Sequence, residues 1–215
     1  MSPIGVTLER EPLRALVSPD EAGKRLRIVD AALRCVAERG LRSTTVEEIA
    51  AEAGLARATL YRTFPGGREA VLEAVAETEA ARFFAALSVE LAAATTLSEL
   101  LAAFVSGATR RLRDSVLLRA SWAEEPAELF ARLSFSGLDE TLALASDFAW
   151  PFLSQFMADE EARRAAEFAA RVTLSYLVSP EPSVELLEEG SVRRLLEGFV
   201  LPGVEALARG EATAG

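Results

Sequence analysis

Between Thr44 and Phe64 the chain reads as two short helices broken at a single glycine, and this stretch constrains everything around it. Thr44 or Thr45 can cap the first helix through a hydroxyl, and Val46, Ile49, Ala50 and Ala53 give it one apolar stripe. Gly54 supplies the backbone freedom for a turn, and Leu55 plugs the corner. In the second helix Leu60 and Phe64 lie four apart and face inward. Ala58 and Arg62 therefore point directly away, flanked by Arg57 and Tyr61 on one side and by Thr59 and Thr63 on the other. The pattern is a helix-turn-helix.

Every outward position except Ala58 carries a hydrogen-bond donor, and almost no acid follows until Glu69. Such a face suits the DNA major groove, where arginine reads guanine and threonine or alanine can contact the thymine methyl. Arg57, Ala58, Thr59, Tyr61, Arg62 and Thr63 are accordingly the candidate DNA-binding residues, with Thr44, Thr45 and Arg68 as candidate phosphate contacts. By residue type alone, an ordinary solvated helix in an α-helical domain reads equally well. The spacing of Ile49-Ala50, Ala53-Gly54-Leu55, Leu60-Tyr61 and Phe64-Pro65 separates the two. These positions closely resemble the DNA-binding domain of the TetR family of transcriptional repressors, over roughly residues 22 to 72.

That resemblance implies a homodimer whose C-terminal domain binds a small molecule and releases the operator. It does not identify the ligand. The chain departs from the family where TetR proteins usually carry a polar residue and then a lysine that meets the DNA backbone: here both positions are glycine, Gly66 and Gly67. Either Arg68 takes over that contact, or the contact is absent and the glycines serve only the turn after Pro65.

The rest of the chain is read as helical. Half of its 215 residues are apolar, enough to bury a full core, while strand-forming residues are sparse and no hairpin signal occurs. The expected class is all-α: a three-helix DNA-binding head followed by a helical ligand-binding and dimerisation domain. No long uncharged apolar run and no leader-like start are seen, so the expectation is a cytoplasmic protein with no membrane partner. Histidine is absent, which removes Ser-His-Asp and Cys-His chemistry, and no Gly-rich phosphate loop is present. No enzymatic activity, metal or cofactor is therefore expected. The single Cys35, among Leu33, Val36 and Ala37, reads as a core residue, with a redox role as the lesser alternative.

The net charge of −10 divides unevenly. Residues 24 to 68 hold nine Lys or Arg against five Asp or Glu, whereas residues 76 to 215 hold twelve against twenty-two. A basic head on an acidic body would orient the molecule on a polyanion, because distant charges are screened within about 10 Å.

In chain order, residues 1–17 are expected to be a flexible arm and residues 18–67 the helix-turn-helix domain. Residues 68–208 would form the ligand-binding and dimerisation domain, and residues 209–215 a tail. Ser18-Pro19-Asp20-Glu21 is a helix start, and Leu26, Val29, Leu33, Val36 and Ala37 continue one apolar face to Gly40. A long connecting helix runs from Arg68 to about Ala94. Thr96 and Glu99 form a capping box, opening a helix to about Leu112 whose basic end, Arg110 to Arg113, reads as solvated. Asp159 is read as the cap of a helix to Val178.

Trp122, Phe130, Phe135, Phe148, Trp150, Phe152 and Phe156 crowd a charge-poor segment broken by Gly137 and Pro151. Core packing accounts for many such rings. Rings around a kink also leave cavities, so Phe104, Trp122, Phe130, Phe148, Trp150, Phe152 and Phe156 are the candidate pocket for a small, largely apolar effector. Two late apolar stripes, carrying Ala169, Val172 and Tyr176, then Val192, Leu195, Leu196 and Phe199, are candidates for a two-fold dimer interface. The alternative is that both stripes close the protomer's own core. The expected function is a ligand-responsive repressor that binds a palindromic operator as a homodimer. The competing reading is a helical carrier of an apolar molecule with no DNA-regulatory use.

Overall fold

The computed structural model describes residues 19–124, 126–127, 138–179 and 185–208. The expected arm and tail, the break at Gly137 and the pocket candidate Phe130 lie outside them, as does Phe135. The described residues fold into helices in two compact units, residues 1–77 and 78–215. The division falls inside one continuous helix. Among the described residues no helix is long and apolar enough to cross a membrane.

In the first unit, α1 (Pro19–Arg39), α2 (Val46–Glu52) and α3 (Arg57–Thr63) pack against one another in all three pairings. The face of α1 that is buried is Ile28, Val29, Ala31, Ala32, Cys35 and Val36. The stripe expected from sequence is rotated from this one: Leu26 is 50% exposed and Ala37 is exposed. Cys35 is buried at 3% exposure, and burial pushes its thiol pKa up, which keeps it a neutral core residue. The helix α4 (Gly67–Ala93) adds buried Val71, Ala74 and Val75 to this unit.

Thr45, not Thr44, caps α2. Its hydroxyl accepts from the Glu48 amide, and the Glu48 carboxylate accepts from the Thr45 amide and hydroxyl, a complete capping box. Those bonds from Thr45 hold the Glu48 carboxyl below its usual range. Thr96 and Glu99 repeat the arrangement, and the amides and hydroxyl of Thr95 and Thr96 depress Glu99 likewise. A carboxyl with a depressed folded-state pKa contributes stability that is present above its unfolded pKa and lost as pH falls through the folded value. Unfolding midpoints in urea should therefore fall as pH drops below the ordinary carboxylate range. Thr45→Ala should remove about 1 kcal/mol at neutral pH and flatten the acid dependence of the first unit, as followed by circular dichroism.

The second unit packs the later part of α4 with α5 (Leu97–Asp114), α6 (Val116–Glu124), α7 (Leu138–Leu153) and α8 (Asp159–Val178). A final helical run comprises α9 (Glu189–Leu195), a π-helical turn at Leu196–Val200 and α10 (Leu201–Ala208). The core is apolar and contiguous, from Leu87 and Leu91 through Leu101 and Val105 to Leu174, Leu196 and Val204. Gly107 lets α4 and α5 approach closely, since a Cβ there would meet the side chains of Glu90 and Leu87. The basic end of α5 is paired: Arg111 and Arg110 reach Glu90 at 2.8 and 3.4 Å, and Arg113 reaches Glu185 at 3.3 Å. Ala158, with no side-chain bond, occupies the cap position of α8, and Asp159 falls inside its acidic first turn.

The final run buries Val192, Leu196, Val200 and Val204, four residues apart. On a regular α-helix that spacing drifts by about 40° per step. The wider π turn, closed by the Leu201 amide on the Leu196 carbonyl, takes back part of the drift and keeps the stripe on the core.

Candidate nucleic-acid interface

The turn between α2 and α3 is built as its sequence predicts. Gly54 has φ +64°, a left-handed conformation that suits glycine, and the Leu55 amide donates to the Ala50 carbonyl at 2.9 Å. Leu60 and Phe64 are buried at 0% and 2% exposure, which fixes the rotation of α3. Arg57, Ala58, Tyr61 and Arg62 are exposed on the opposite side, and Thr59 and Thr63 are half-buried at its edges. The Thr63 hydroxyl donates back to the Thr59 carbonyl at 3.0 Å.

The structure places the three candidate phosphate contacts differently. Thr45 is exposed at the start of α2. Thr44 is 1% exposed, and its hydroxyl donates to the Gly40 carbonyl at 2.7 Å, so that hydroxyl is not presented to a phosphate. Arg68 is half-buried, with Nε donating to the Thr44 carbonyl at 2.7 Å and a terminal nitrogen to the Leu41 carbonyl. It clamps the loop between α1 and α2, a role distinct from the expected replacement of a lysine on the DNA backbone. Sequence reasoning missed this because a guanidinium seeking carbonyls leaves no periodic trace.

The glycine pair has its own reason. Gly67 has φ +62°, and a Cβ added there would lie 3.0 Å from Cε1 of Tyr61. A side chain there would be strained by the positive φ and would press on the Tyr61 ring, so glycine suits this turn.

Most cations of this unit are bonded internally. Arg27 donates to the Ala53 carbonyl at 2.8 Å, and Arg25 donates to the Thr63 carbonyl at 3.3 Å while lying 4.2 Å from the Phe64 ring centroid. These two arginines serve the carbonyl ends of α2 and α3, where partial negative charge collects. Lys24 pairs with Asp20, Arg34 with Glu52 and Arg39 with Glu48. The count of positive charge thus overstates what faces outward. Among the described residues, Arg62 has no bonding partner, whereas Arg57 pairs with Glu47 at 2.7 Å.

Residues 28–75 fit the model of the bacterial regulatory proteins of the tetR family. Residues 28–75 form a TetR-family DNA-binding domain. An uncharacterised HTH-type transcriptional regulator of Mycobacterium tuberculosis, found in two strains, is 29% identical over 191 residues, covering 88% of this chain and 89% of that one. Among solved structures, the TetR family repressor AlkX of a Dietzia strain, implicated in biodegradation of n-alkanes, superposes with a TM-score of 0.59 at 24% identity. That match covers 89% of this chain and 97% of AlkX. The fatty acid degradation regulator FadR of Bacillus halodurans gives 0.52 at 23% identity, over 82% of this chain and 96% of FadR. The chain is thus similar to TetR-family transcriptional regulators, and its described residues are helical throughout their regular structure.

In the second unit the described rings of the expected pocket pack on one another and on the core. Phe148 stacks on Phe84 with centroids 4.7 Å apart and on Phe152 at 5.8 Å, and Phe84 meets Phe83 at 5.1 Å. Phe148, Trp150, Phe152 and Phe156 pack half-buried on the core, and Trp122 is 44% exposed. Of the candidates, Phe104 lines a void, with Leu91, Leu101, Leu153 and Ala169 among its other walls. The void measures about 10 Å³, the room of a single water, and its lining is apolar.

The dimer candidates also separate. Ala169, Val192 and Leu196 are at most 1% exposed and belong to the protomer core, which corrects their assignment to an interface. Val172, Tyr176 and Leu195 are half-buried. Phe199 is 82% exposed, and Phe168, which sequence reasoning passed over, is 48% exposed on α8.

Proposed function

We propose that this TetR-family regulator is a repressor that binds a palindromic operator as a homodimer through the outward face of α3. The observation that carries the reading is that face itself: Leu60 and Phe64 lock the helix inward, and Arg57, Ala58, Tyr61 and Arg62 stand exposed on a two-turn helix after a glycine turn. Thr59 and Thr63 flank them, and Thr45, exposed at the start of α2, takes a backbone phosphate. Residues 18–67 are the DNA-binding part and residues 68–208 the part that dimerises and binds the effector, in the cytoplasm where operator DNA lies. Two-fold symmetry requires two half-sites about one helical turn apart or a small multiple.

The effector in this reading is a small apolar molecule that enters the seam beside Phe104 and releases the operator. Its support is the wholly apolar lining of the void between α4, α5, α7 and α8, together with the association of AlkX with n-alkanes and of FadR with fatty acid degradation. The dimer contact uses the exposed side of α8 and of the final helical run, through Phe168, Val172, Tyr176, Leu195 and Phe199. Gly198 and Gly203 have open space beside them on that run.

Selection of binding sites from random duplex DNA tests the reading. A palindromic consensus is expected. Arg62→Ala should lower affinity for it by about 1–3 kcal/mol and relax base preference at one position per half-site. Recovery of no consensus by the wild-type protein would favour a carrier of apolar molecules without DNA-regulatory use.

A further inference from the structure

Arg57 does not hang free from α3. One terminal nitrogen lies 2.7 Å from Oε1 of Glu47 on α2, and the other lies 3.5 Å from the Tyr61 hydroxyl. The guanidinium carbon lies 5.4 Å from the centroid of the Tyr61 ring. That ring in turn abuts Gly67, where the positive φ and the 3.0 Å approach disfavour a side chain. Glu47, Arg57, Tyr61 and Gly67 thus form one contact chain across the outward surface.

An isolated exposed ion pair contributes little to stability, and both partners here are more than half exposed. A carboxylate in the first turn of α2 suits the helix dipole, but that modest gain does not call for an arginine partner on the surface that meets a polyanion. Base recognition does. A guanidinium has five N–H donors, so engaging one with Glu47 and one with Tyr61 leaves others for the edge of a guanine. An arginine already held in one orientation loses less freedom on binding. The carboxylate also repels phosphate, which penalises DNA that lacks the matching base.

We infer that Glu47 is a specificity-determining residue: it holds Arg57 toward the base edge and disfavours non-specific phosphate contact. This rests on the operator-binding reading above. Glu47 is a positioning residue and need not touch DNA.

The test uses the full chain and operators selected separately by wild type, Glu47→Gln, Glu47→Ala, Arg57→Ala and the Glu47→Ala/Arg57→Ala pair. Glu47→Gln should raise affinity for random duplex by roughly threefold per half-site, the screened repulsion of one charge at about 7 Å. Glu47→Ala should reduce base discrimination at the Arg57 position by roughly three- to tenfold, with preferences elsewhere retained. The double variant should select the same profile as Arg57→Ala, because Glu47 acts through that side chain. If Glu47→Ala keeps the wild-type profile and Glu47→Gln keeps the wild-type affinity for random duplex, the pair is an ordinary surface contact and the inference falls. If wild type itself selects no sequence, the operator-binding reading fails first, and this inference falls with it.

Discussion

Phe199→Asp is expected to give a folded monomer, whereas Leu196→Asp is expected to give little folded protein at all. Both residues belong to the π-helical turn of the final helical run. Leu196 is 0% exposed in the core of a single protomer, so an aspartate there is an unpaired buried charge, a cost of about 3–5 kcal/mol or more. Phe199 is 82% exposed, so its replacement disturbs no intramolecular packing. In a dimer that covers it, loss of a central aromatic anchor costs about 2–4 kcal/mol of association. Sedimentation would show a wild-type dimer and a Phe199→Asp monomer with unchanged helicity, and the monomer should lose tight operator binding. A Phe199→Asp protein that still sediments as a dimer would place the interface elsewhere. A folded, dimeric Leu196→Asp protein would contradict the assignment of that side chain to the protomer core.

Arg68→Ala should act on stability rather than on DNA. The guanidinium donates to the carbonyls of Thr44 and Leu41, and each charge-assisted bond is worth about 1.5–3 kcal/mol. With the loop carbonyls left partly exposed to water, a net loss of about 2–4 kcal/mol is expected for the first unit. Urea unfolding of residues in that unit, and hydrogen exchange at amides 40–45, would both report it. At a temperature where the variant remains folded, the slope of log affinity against log salt should match that of wild type. An unchanged unfolding midpoint with a slope flattened by about one per half-site would instead make Arg68 a phosphate contact. Gly67→Lys should itself strain the turn, because φ is +62° and a Cβ would lie 3.0 Å from the Tyr61 ring.

Local features of this protein were legible without its structure because their causes are local. A positive φ at Gly54, a capping box at Thr96 and Glu99, and an inward Leu60 and Phe64 each follow from a few neighbouring residues and one helical period. Thr45 and Thr44 were indistinguishable as caps, since both carry a hydroxyl beside the helix start. The fold separates them: Gly40 takes the Thr44 hydroxyl, and Glu48 takes Thr45.

What an amphipathic stripe faces is not local. Leu196 and Phe199 stand three apart with similar hydrophobicity, yet one is enclosed and the other open, because a π turn changes the rotation between them and the core. The crowded aromatic segment met the same limit, since Phe148 packs on Phe84 and Phe152 while a small void lies beside Phe104. Charge was the least legible quantity. Nine cations between residues 24 and 68 are visible in the chain, but whether a guanidinium meets a carbonyl, a carboxylate or solvent depends on residues up to 38 positions away, as for Arg25 and Thr63. Periods and caps that act within a few residues set the capping boxes, the glycine turn and the outward set on α3. Tertiary structure alone decided that Arg68 clamps a loop, that Glu47 holds Arg57 and that Phe199 is left uncovered. Each of those depends on which distant segments the core brings within a side chain's reach.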